Sequence, residues 1–161
     1  MHSEDWPAGP VLIGVEWDFS EPLIRTAAAL AVALEEHLIC GFVDPAGYLT
    51  EWAPVNQRTA LSLDPTINEE AEFPSEQLQL RLEEILGKPG EAWSFRVLNG
   101  DVAKALSRLA DNAGASLLVV GTGRPGPMAR LDRVLEGSVS AALLRRQHRP
   151  VLVVPEGRSR P

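Results

Sequence analysis

At 161 residues the chain is long enough to bury one hydrophobic core unaided, and its 45% hydrophobic and 23% charged residues are ordinary for a globular domain. A formal net charge of -7 argues against general nucleic-acid or membrane-surface binding, and no apolar run approaches the ~20 residues of a spanning helix. The single cysteine, Cys40, rules out an internal disulfide. The opening MHSEDWPAGP has neither a basic start nor an apolar core, so no signal peptide is expected and the cytoplasm is the expected location.

Residues 1–9, polar with Pro7 and Gly9, are expected to form a loose arm. Val11 to Val15 (VLIGV) is a short β-branched run that predicts a buried strand. Ser20 is a good N-cap for the alanine-rich helix SEPLIRTAAALAVALEEH, with Pro22 in its first turn. Leu38 to Val43 predicts strand two, completing a right-handed βαβ unit. Residues 44–74, punctuated by Pro45, Pro54, Pro65 and Pro74, predict a long irregular excursion with one or two short helical turns. Ser75 is expected to cap a helix whose Leu78, Leu82, Ile85 and Leu86 share one face, closed by Gly87. Ala92 to Leu98 predicts strand three. Asn99-Gly100-Asp101 leads into a helix with Val102, Leu106 and Leu109 inward and Gly114 at its end, and Leu117 to Val120 predicts strand four. A last helix from Ser138 and a last strand, Val151 to Val154, precede a polar tail from Glu156. Strands that are apolar on both faces are covered on both faces, so the expected fold is an α/β three-layer sandwich around a parallel sheet, in a single domain over 1–161.

Residues 121–149 hold six arginines against two acids, Asp132 and Glu136, a basic island on an acidic chain. Solvated arginines snorkelling over apolar surface explain the island as well as an anion site does. A literal Gly121-x-Gly123-x-x-Gly126 follows strand four. Pro125 and Pro127 sit inside that turn, and Gly137 interrupts before the helix, so a dinucleotide fingerprint is set aside. Gly123-x-x-Gly126 followed by Gly137-Ser138-Val139-Ser140 is a better anion candidate. Two glycine steps let backbone N–H groups approach a phosphate, the helix start adds unpaired donors, and Ser138 and Ser140 add hydroxyls. The competing explanation, that these are only loop punctuation and a helix start, remains open on these grounds. Cys40 is expected to be a buried small hydrophobe, Trp17 and Trp93 to pack, and His2, His37 and His148 show no metal-site spacing.

The combination of LLVVG, a glycine loop and LEGSVSAALLRRQHRPVLVVP resembles the universal stress protein family, as do VLIGVE, GFVD and NGDVAKAL. That resemblance implies a Rossmann-like, adenine nucleotide alpha hydrolase-like fold with strand order 3-2-1-4-5. It also implies ATP or another adenine nucleotide, possible with Mg, at the carboxyl ends of the strands. Carried onto this chain, the acid contacting adenosine falls on Glu16, with Asp18 in a competing register, and the adenine contact on the backbone of Val43. The phosphate positions fall on Gly123, Gly126, Gly137, Ser138, Val139 and Ser140, with Gly121 at the strand end. The glycine spacing is G-x2-G-x10-G, one residue longer than the family signature, and strand one ends in Glu rather than the usual Asp. A homodimer through Val151, Leu152, Val153 and Val154 is implied, and the expected role is a stress-response nucleotide binder with at most slow hydrolysis. The alternative is a nucleotide-free dimeric interaction module.

Overall fold

The structure, a computed structural model, describes residues 6–44, 65–122 and 138–156, and in the helix that begins at residue 65 it describes the side chains from residue 75 onward. In chain order the described elements are β1 (Val11–Val15), α1 (Glu21–Ala33), β2 (Leu38–Asp44), α2 (Pro65–Leu86), β3 (Trp93–Asn99), α3 (Val102–Ala113), β4 (Leu117–Gly121), α4 (Val139–Arg146) and β5 (Val151–Val154). The five strands form one sheet in the order β3-β2-β1-β4-β5, as expected. Every pairing is parallel, with Ile13 beside Cys40 and Val119, Cys40 beside Phe95, and Val119 beside Leu152.

Successive side chains of a strand point to opposite faces, so a run such as VLIGV is apolar throughout only when both faces are covered. Val11, Ile13 and Val15 pack with Leu23, Ile24 and Ala27 of α1 and Leu78 and Leu82 of α2. Leu12, Ile39, Leu118 and Val120 pack on the other face with Leu106 and Ala110 of α3 and Leu143 of α4. Among the described elements, two helices thus cover each face. On the α3 side, Gly14 and Gly41 are partners in register, and a Cβ on Gly14 would stand 2.9 Å from Leu106 Cδ1. The paired glycines let α3 lie close against the centre of the sheet.

Local sequence explains most element ends. Asp101 accepts a hydrogen bond from the Lys104 N–H at 3.0 Å, and Gly114 ends α3 at φ 63°. Trp93 is 2% exposed and donates its indole N–H to the Gly87 carbonyl. Cys40 is fully buried, as expected.

Four details differ from expectation. The helix α2 begins at Pro65 rather than after Pro74, so residues 65–74 of the expected excursion are helical, while 45–64 lie outside the described residues: Pro65 suits a first turn, and Asn68 to Ala71 (NEEA) is dominated by good helix formers. The inward face of α3 is carried by Ala103, Leu106 and Ala110, leaving Val102 exposed, because the Asp101 cap sets the helix start one position before the apolar stripe. Within the expected loose arm, Gly9 donates its N–H to Glu36 Oε1 at 2.9 Å and accepts from the Ser116 hydroxyl at 2.7 Å. Glu156, expected to open a frayed tail, is buried.

Candidate functional site

A parallel sheet of order 3-2-1-4-5 reverses its winding between β1 and β4. The helix after β1 lies on one face and α4 on the other, so the connections diverge at the carboxyl ends of these strands and leave a crevice there. The rim on the β1 side is the loop Glu16–Ser20. It is a tight turn in which the Phe19 N–H donates to the Glu16 carbonyl at 3.2 Å. Phe19 is buried beneath it, and Arg81 of α2 stacks its guanidinium 4.5 Å over the Phe19 ring while donating to the Trp17 carbonyl at 2.7 Å. This clasp fixes the backbone while Glu16, Trp17 and Asp18 remain exposed at the surface. Trp17 is 44% exposed, so it does not pack into the core as expected. Asp18 shows no hydrogen bond or ion pair among the described residues, whereas Glu16 has a further interaction.

On the β4 side, Gly121 pairs with Val154 and the Thr122 N–H donates to the Val154 carbonyl at 3.1 Å. Val43 lies one residue before the end of β2 with its side chain packed toward α3, so its backbone is what it offers the carboxyl edge. Ser138 is the N-cap of α4: its hydroxyl accepts from the Ala141 N–H at 3.1 Å and lies 3.1 Å from the Ser140 hydroxyl. Val139 packs its side chain against the α3-side core. Gly123, Gly126 and Gly137 lie outside the described residues.

Three residues at the crevice were missed in the sequence. Glu156 is 7% exposed and its Oε1 accepts from the Ser20 N–H at 3.0 Å. Its own N–H donates to the Thr122 hydroxyl at 2.9 Å. A Cβ on Gly121 would meet Glu156 Oε2 at 2.5 Å, so the missing side chain of Gly121 is what seats the carboxylate. The Ser20 hydroxyl is buried without a hydrogen-bond partner. Ser20 therefore contributes its N–H to the site rather than a side-chain cap to α1. Only the strand-end glycine hinted at this arrangement, because a carboxylate two residues past a terminal strand has no local periodicity to mark it.

Among the described residues there is no group of three or more His, Cys, Asp or Glu side chains that could hold a metal ion. Burial pushes the Cys40 thiol up from 9.0 to about 12, which keeps it protonated and unreactive. His37 bridges the Glu91 carbonyl and the Ser94 hydroxyl at the opposite, amino end of the sheet.

The family model of the universal stress protein family matches residues 8–155. No curated protein sequence matches the chain. Among solved structures, the universal stress protein UspA from Lactobacillus plantarum is 16% identical at a TM-score of 0.63, covering 91% of this chain and 97% of its own. A universal stress protein in complex with cAMP is 22% identical at a TM-score of 0.60, with 92% and 97% coverage. A universal stress protein from Archaeoglobus fulgidus in complex with dAMP is 15% identical at a TM-score of 0.53, with 91% and 98% coverage. At these identities the structural likeness speaks for the fold.

Proposed function

Because the chain belongs to the universal stress protein family, we propose that it binds an adenine nucleotide in the crevice between β1 and β4 and acts in the stress response through that binding. The observation that carries this reading is the clasped β1–α1 turn, which holds Asp18 exposed and unengaged at the switch point of the sheet. A carboxylate in that position accepts hydrogen bonds from ribose hydroxyls, and a fixed backbone makes it pre-organised to do so. Asp18 is the better candidate of the two acids, since Glu16 has a further interaction. The cAMP and dAMP complexes of two structural neighbours favour an adenine ligand. The phosphates are assigned to the Ser138 end of α4, with Val139, Ser140, Gly121 and the glycines 123, 126 and 137, and the adenine to the backbone at Val43. ATP is one of the adenine nucleotides to try, with magnesium only as the counter-ion of its phosphates. We propose also that β5, an edge strand with Leu152 and Val153 exposed, pairs with a second copy of the chain in a cytoplasmic homodimer.

Thermal denaturation with adenosine, AMP and Mg-ATP tests the binding. A ligand at 100 times its dissociation constant stabilises the folded state by about 2.7 kcal/mol. Asp18→Asn is expected to weaken whichever nucleotide binds by at least tenfold with the unliganded melting temperature unchanged. The absence of any shift at millimolar ligand would leave the interaction-module reading in its place.

A further inference from the structure

Resting on that reading, we propose that Glu156 sets how much phosphate the crevice accepts, so that the protein favours adenosine or its monophosphate over the triphosphate. The chain has placed its own carboxylate across the switch point. Glu156 leaves the end of β5, passes over Gly121 at the end of β4, and accepts a hydrogen bond from Ser20 at the start of α1. Among the described residues three features hold it there, the Ser20 N–H at 3.0 Å, the Thr122 hydroxyl on its own N–H at 2.9 Å and the space left by the missing Gly121 side chain, and Glu156 has a further interaction besides. A polar side chain only 7% exposed is not a casual surface contact.

The chemical consequence follows from charge. A backbone N–H at the start of a helix, in a crevice at the carboxyl edge of a parallel sheet, is the sort of donor that phosphate oxygens take. Here Glu156 already takes it. Each added phosphate brings negative charge toward a buried carboxylate, where repulsion is screened less than in water. Adenosine meets no such penalty, and its hydroxyls and exocyclic amine are donors that a carboxylate tolerates. Glu156 therefore acts as a specificity residue: its charge discriminates by phosphate number, whatever holds the base.

Isothermal titration of the wild-type chain, Glu156→Gln and Glu156→Ala with adenosine, AMP, Mg-ATP and inorganic tripolyphosphate tests this. Glu156→Gln retains an oxygen for the Ser20 N–H and removes the charge, and melting curves check that each variant folds. The wild type is expected to bind AMP more tightly than ATP, and the ATP-to-AMP affinity ratio is expected to rise at least fivefold in Glu156→Gln. A wild type that prefers ATP overturns the proposal by itself, which keeps it testable should both variants fail to fold. A smaller change of ratio in folded Glu156→Gln also overturns it. If no nucleotide binds any of the three proteins but tripolyphosphate binds Glu156→Gln and not the wild type, the nucleotide reading falls and the role of Glu156 stands. If no probe binds any of them, both fall.

Discussion

Ser20, Ser138 and Asp101 all stand at helix N-caps, yet only two of them cap. The Ser138 hydroxyl and the Asp101 carboxylate each accept a backbone N–H, so replacing either by Ala is expected to cost about 0.5–2 kcal/mol in chemical denaturation. Ser20 makes no such bond and buries its hydroxyl unpaired. Ser20→Ala is therefore expected to leave stability unchanged or raise it by up to about 1 kcal/mol, because an unsatisfied buried group is removed. Cys40 yields a pH prediction of definite sign. Its thiol is raised from 9.0 to about 12 in the folded state, so above pH 9 the unfolded chain loses a proton that the folded chain keeps. Stability is complete below pH 9 and falls as pH rises toward 12, at up to about 1.4 kcal/mol per pH unit from this group. Denaturation midpoints of the wild type and Cys40→Ala, measured from pH 8 to 11, should diverge in slope with the wild type steeper.

At the scale of elements, the close approach of α3 to the sheet rests on Leu106 filling the space above Gly14 and Gly41. Leu106→Ala is expected to destabilise by about 2–5 kcal/mol. Adding Gly14→Ala to that variant returns a methyl to the vacated volume, so the double variant should be more stable than the sum of the two single changes predicts; a denaturant-based double-mutant cycle reads the coupling. Apart from β3, whose residues alternate, the strands were legible because their residues are apolar on both faces, and α1 and α3 because an apolar stripe recurs at helical spacing. The start of α2 was not legible: Pro74 reads locally as a stop, and the chain continues helical through it from Pro65. Val102 was misplaced for a similar reason, since its apolar character suggests the core and the Asp101 cap turns it outward. Within the site, Asp18 and Ser138 announce themselves as polar residues at strand and helix ends. Glu156 and Thr122 acquire their roles only when β4 and β5 lie side by side, a relation with a sequence separation of 34 residues that no local pattern encodes.

For the molecule as a whole, the two sheet edges differ in what they present. β3 at one edge exposes Arg96 and Asn99 alongside Val97, while β5 at the other is VLVV with Leu152 and Val153 more than a third exposed and no polar residue among them. An exposed apolar edge invites pairing unless it is covered, even over the four residues of β5. Val153→Lys is expected to convert the proposed homodimer to monomer in size-exclusion chromatography with light scattering, with little change in the far-UV spectrum.

The parallel sheet also separates Gly9 from Glu156. Gly9 is bound to Glu36 and Ser116 at the amino edge of the strands, whereas Glu156 sits in the crevice at the carboxyl edge. A fluorophore, purification tag or surface tether attached next to Gly9 is anchored at the end of the sheet opposite the crevice. The same cargo joined after Glu156 starts beside Ser20 and Thr122 and pulls on the carboxylate they hold. Immobilised binding assays should therefore be oriented through the amino-terminal side, and a fusion on the other side is itself a perturbation of the site.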